Sequence, residues 1–136
     1  LVNAGINLSA MVLLGLAGSG EPSREHALTT AKIINEMKPQ YLAALTVTPV
    51  PNTVLHRQVL AGEFKILDAF ATLEEMKGIF ENITIDGLKF VGSHASNYLP
   101  ISGTLQKDRQ QMLDMVNKVL ESQDKRYLRS ESMRGL

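Results

Sequence analysis

The sequence contains no cysteine. That absence excludes disulfides, thiolate zinc sites, cysteine nucleophiles and any iron–sulfur cluster ligated by this chain's own thiolates. Charge of one sign is also missing, because 14 basic and 14 acidic residues cancel. No large field therefore points to nucleic acid or an anionic membrane as partner. Long apolar runs are missing too. The longest, from Ala10 to Ala17, is interrupted by Gly15 and falls far short of the roughly 20 residues a membrane span needs. No basic region precedes it as in a signal peptide, so the expected compartment is the cytoplasm. Internal repeats and low-complexity stretches are absent as well.

What remains is an ordinary globular composition, 44 % apolar and 21 % charged over 136 residues, a length suited to one domain with a real core. Residues 1–5 read as the end of a helix running into a glycine cap, the expectation for a piece of a longer protein. Leu8 to Leu16 is a continuous apolar run that suits a strand buried on both faces. After the glycine-rich loop to Pro22, Ser23 stands where an N-cap would. Ala27, Ala31, Ile34 and Met37 follow at helical spacing, and Pro39 closes that helix. Tyr41 to Val47 is a second buried strand. Thr53 caps a short helix that ends at Gly62, and Thr72-Leu73-Glu74-Glu75 has the pattern of a capping box.

Leu73, Met76, Ile79, Phe80 and Ile83 form one apolar stripe, and Leu88 to Val91 is the core of a third strand. A polar loop follows to Tyr98. A last helix spans about Gln106 to Glu121, with Met112, Leu113, Val116, Val119 and Leu120 inward. The methionines at 37, 76, 112 and 115 read as core filling. Residues 1–122 thus form the ordered part, and residues 123–136 a charged, loosely held tail. Strands alternating with helices predict an α/β fold of about three parallel strands with crossover helices packed on one side.

All three strands end in similar chemistry: Gly15 to Gly20, Thr48-Pro49-Val50-Pro51, and Gly92-Ser93-His94. Ligands of parallel α/β folds sit at these carboxyl ends, where glycine lets a ligand approach the backbone. Loops hold such residues for structural reasons too; the coincidence of three on one edge favours a binding face. The first loop has neither the lysine nor the spacing of a phosphate-binding P-loop, which leaves a backbone edge open to a flat adenine or a ribose. Of the three histidines, His26 and His56 fall on helix surfaces. His94 follows a strand, with Asn97 and Tyr98 close behind, and reads either as a ligand residue or as a structural partner of its loop. No paired-carboxylate or Ser–His–Asp arrangement, and no metal site, is assigned.

Met11-Val12-Leu13-Leu14-Gly15-Leu16-Ala17-Gly18 resembles the glycine-containing fifth-strand motif of radical SAM proteins. Leu45 to Thr53 resembles their next strand with its proline turn. Gly62-Glu63-Phe64, Ser93 to Pro100 and Leu128 to Leu136 resemble a bacterial subgroup of iron–sulfur oxidoreductases. The likeness covers nearly the whole chain. It departs from the pattern at Met11, where a glycine is usual, and at Gly18, where an acidic residue often stands, although Glu21 lies nearby.

The resemblance implies half of a partial (β/α)6 TIM-like barrel. It also implies a parent enzyme that uses S-adenosylmethionine and a [4Fe-4S] cluster held by a cysteine motif this chain lacks. In that reading Leu14, Gly15 and Leu16 lie against adenine with Thr48, Pro49 and Val50 beside them, while Glu21, His94, Asn97 and Tyr98 face substrate or close the barrel through loop hydrogen bonds. The chain alone has no catalytic residue. Two alternatives stand beside it: a non-catalytic α/β ligand-binding or interaction module, and a small-molecule enzyme built on Glu21 and His94. An open arc also leaves apolar sheet surface and a strand edge uncovered, which predicts a two-fold homodimer.

Overall fold

A computed structural model of the chain describes residues 5–135. The helix end read at residues 1–4 lies outside them. The elements follow in the order β1 (Ser9–Leu14), α1 (Glu21–Met37), β2 (Tyr41–Thr46), α2 (Val54–Leu60), α3 (Ala69–Asn82), β3 (Leu88–Gly92), β4 (Ile101–Leu105) and α4 (Arg109–Ser122). Single 3₁₀ turns at Lys125–Tyr127 and Glu131–Met133 complete it. No helix among the described residues is long and apolar enough to cross a membrane.

The four strands form one open sheet in the order β1-β2-β3-β4. β1, β2 and β3 are parallel neighbours, joined through helices, within a residue or two of where the apolar runs place them. β4 was not foreseen. It pairs antiparallel with β3, Leu88 opposite Leu105 and Gly92 opposite Ile101. The reason is connection length: a parallel return needs a crossover of a dozen or more residues, and Ser93 to Pro100 is too short for one. The fold is therefore mixed α/β, its sheet mostly parallel.

The strands are buried on one face only, which corrects the two-faced burial expected of β1 and β2. Val12, Leu14, Leu42, Ala44, Leu88, Phe90, Ile101 and Leu105 point into the core beneath α1, α3 and α4. On the other face Met11 is 70 % exposed and Leu13 39 %, with Tyr41 and Val91 also open. The stripe of α3 is buried as its spacing predicts, and Phe80 meets Phe90 edge to face at 4.7 Å. Met76 and Met112 fill the core, whereas Met37 and Met115 are exposed.

Caps differ in instructive ways. Thr53 accepts from the His56 amide as an N-cap should. Ser23 does not cap α1: the cap is Gly20, and Ser23 lies buried inside the helix. Thr72 likewise sits within α3, whose cap is Asp68 accepting from the Ala71 amide. Residues 123–135 are held rather than loose. The Arg129 amide donates to the Tyr98 carbonyl at 2.8 Å, the Gly135 amide donates to that of Ala95 at 3.3 Å, and Leu128 packs on the core.

Candidate functional site

The carboxyl ends of β1 and β2 open onto a groove of about 360 Å³ on the sheet face opposite α1, α3 and α4. Its walls are Leu13 and Leu16 from the first strand end, Leu45, Val47 and Thr48 from the second, Leu55 of α2, and His94 with Ser96 from the loop after β3. Strand alternation explains the lining, because odd-numbered residues of β1 and β2 face away from the helices. The groove is largely apolar with polar groups at one side, the mixture that suits a flat heteroaromatic ring.

Behind it, Asn97 is fully buried and joins two strands that have parted. The β2–β3 ladder covers only Tyr41 to Ala43 against Lys89 to Val91. Beyond its end the Asn97 side-chain amide donates to the carbonyls of Ala44 at 2.7 Å and Gly92 at 2.9 Å, and its oxygen accepts from the Thr46 hydroxyl. The Thr46 amide donates to Ser96 Oγ at 3.0 Å. The loop thus stands in for a missing strand and holds the two ends apart, which is what opens the groove. Because the Ser96 amide donates to His94 Nδ1, that nitrogen carries no proton and the ring's hydrogen lies on Nε2.

The tail braces this loop from outside. Arg129 donates to the carbonyls of Ser93, His94 and Asn97, and Arg134 to that of Ser96. Arg134 also lies over the Tyr98 ring at 3.8 Å and pairs with Glu131 at 2.6 Å. The Tyr98 hydroxyl donates to Glu131 at 2.8 Å. Burial first, then this hydrogen bond, pushes its pKa up to about 12.

A second buried knot fixes the β1–α1 loop. Glu75 of α3 accepts from the Gly15 amide at 2.9 Å, from His26 Nδ1 at 2.9 Å and from the Ser23 hydroxyl. Gly15 has φ +83, a region glycine tolerates. A Cβ at Gly18 would reach the Phe64 ring and the Lys65 carbonyl, which accepts from the Ser19 amide at 2.9 Å.

Of the residues read as adenine contacts, Leu16 and Thr48 line the groove. Leu14 turns its side chain into the core and Gly15 gives its amide to Glu75, so neither offers those groups to a ligand. Pro49 and Val50 do not line the groove. Of the substrate-facing set, only His94 reaches the groove. The three polar contacts of Asn97 are structural and Tyr98 belongs to the tail contact, which leaves them the loop-closing role. Glu21 is exposed at the start of α1, and no hydrogen bond joins it to His94 among the described residues.

Sequence reasoning missed Leu13, Leu45, Val47, Leu55 and Ser96, although the alternation of β1 and β2 marks the first two. It also missed Glu75, whose partners lie 49 to 60 residues away. Comparison with known families, curated proteins and solved structures finds no match for this chain.

Proposed function

We propose that this chain is the cofactor- and substrate-facing half of a radical SAM barrel, a three-unit arc inactive without a cluster-bearing half. The observation that carries the reading is the groove at the carboxyl ends of two parallel strands, on the sheet face opposite α1, α3 and α4. In a closed (β/α) barrel that face is the interior and those ends form the active-site mouth. The likeness of residues 11–18 and 45–53 to the family's strand motifs supports it independently.

The residues present suit the adenosyl part of S-adenosylmethionine. Leu13, Leu16 and Leu45 offer apolar walls to adenine, and Thr48 and the His94 Nε2–H offer polar contacts at its rim. They do not suit the cluster, since the chain has no thiolate to hold iron. Bound in the complete enzyme, the cofactor supplies radical chemistry. This chain's part is to position the adenosyl group and exclude water from it.

Titration of the chain with S-adenosylmethionine, followed by amide NMR, tests the reading. Shifts are expected at Leu13 to Leu16, Leu45 to Thr48, Leu55 and His94 to Ser96, with millimolar affinity because half of the pocket is absent. Leu16→Glu should abolish them. The absence of shifts at about 5 mM, where a millimolar site is mostly filled, or shifts centred elsewhere, would sink it.

A further inference from the structure

Among the described residues β1 is an edge of the sheet, and an unusual one. The Leu8 carbonyl accepts from Tyr41 and the Leu14 carbonyl from Val47, so even-numbered residues turn their backbone groups toward β2. Ser9, Met11 and Leu13 then present theirs to the opposite side, where no strand pairs with them among the described residues. Edge strands are commonly guarded by charge, proline or a bulge. Here the first twenty residues contain no charged residue and no proline. Apolar side chains flank the edge on both sides: Met11 and Leu13 on the bare face, and Leu16, Ile33 and Met37 along a groove of about 300 Å³ beside α1.

We infer that a second copy of this chain pairs with β1 along this edge, antiparallel, about a two-fold axis at Met11. The strand is its own complement there. Opposed residues share a face only when their numbers sum to an even value, and a register centred on Met11 sets Met11 against Met11 and Ser9 against Leu13. Every outward backbone group of the strand then meets another outward group. Both strands are uncharged, so nothing repels.

The axis stands perpendicular to the sheet and keeps both helical layers on one side. The Ile33 and Met37 sides of the two α1 helices, which flank β1 in each copy, then lie on the same side of the paired edge. An unrelated extended peptide would satisfy the backbone but bring no second rim. The pair would take Met11, Leu13, Leu16, Ile33 and Met37, all substantially exposed in the single chain, out of contact with water. The inference concerns this chain by itself and does not need the adenosyl reading, under which the missing half of the barrel would cover the same edge.

Sedimentation of the chain and three variants decides it. The parent should be a dimer at about 100 µM, and Met11→Lys should weaken it about 30-fold or more while the far-UV spectrum stays unchanged, because two ammonium groups then face each other. Met11→Cys, the sole thiol in its chain, should form a disulfide-linked dimer on mild oxidation, since opposed hydrogen-bonded residues lie about 5.5 Å apart. Val91→Cys should not. A monomeric parent, or a dimer that survives Met11→Lys and crosslinks through Val91→Cys instead, overturns the edge pairing.

Discussion

Removing the buried Glu75 carboxylate should cost more than substituting any exposed residue of α3. The side chain is fully buried, and three donors from two other elements converge on it: the Gly15 amide, the Ser23 hydroxyl and His26 Nδ1. In Glu75→Ala, Gly15 and Ser23 keep buried donors without an acceptor, at about 1–3 kcal/mol each, while half-exposed His26 finds water. With the lost side-chain packing the expected total is about 3–5 kcal/mol, against the roughly 5–15 kcal/mol that holds a domain together. Glu75→Gln keeps an oxygen for Gly15 and His26 and turns an amide toward Ser23, whose oxygen can accept. Its expected cost is about 1–2 kcal/mol. Urea unfolding followed by circular dichroism measures both, and an unchanged denaturant slope would show that the unfolded state is not the cause. If Glu75→Ala lies within about 1 kcal/mol of the parent, or Gln costs as much as Ala, then hydrogen bonding by this carboxylate does not hold the loop.

Three further outcomes follow from the same contacts. Asn97→Ala should lower stability by about 2–4 kcal/mol in thermal unfolding, because the Ala44 and Gly92 carbonyls and the Thr46 hydroxyl lose their partner at once. Gly92→Ala should destabilise by about 2 kcal/mol or more, since a Cβ there would stand 2.6 Å from the Ile101 carbonyl and 2.8 Å from the Phe90 ring. Tyr98 has its pKa raised from 10.0 to about 12 on folding. The folded state therefore keeps a proton the unfolded chain releases, so stability should be intact below pH 10 and fall as pH rises toward 12. Tyr98→Phe should flatten that decline, by about 1 kcal/mol once solvent screening is allowed for, in unfolding midpoints taken across the range.

The three parallel strands were legible because each is a compact apolar run bounded by glycine or proline. The stripe from Leu73 to Ile83 was legible because it repeats at helical spacing. Ile101 to Leu105 was not, since Pro100 before it and Gly103 within it weaken a strand of only five residues. What makes it a strand is the edge β3 offers, which is tertiary context. Ser23 illustrates the same limit. A serine near a helix start looks like a cap, and only the distant Glu75 shows that its hydroxyl serves another element. For the groove, alternation alone could have marked Leu13 and Leu45 as facing opposite to Leu14. The run of apolar residues on both faces hid that division.

The grip of the tail on the loop after β3 has a consequence for variation. Arg129, Arg134 and Gly135 take hold of the loop through the main-chain oxygens of Ser93, His94, Ala95, Ser96, Asn97 and Tyr98. Every amino acid supplies that oxygen, so apart from the contacts of Arg134 and Glu131 with Tyr98 the clasp is indifferent to which side chains the loop carries. Exposed Ser93 and Ala95 can change while the loop's path stays fixed. The rim of the groove is in that sense a socket whose contents can be exchanged, and new ligand preferences can arise there without rebuilding the scaffold.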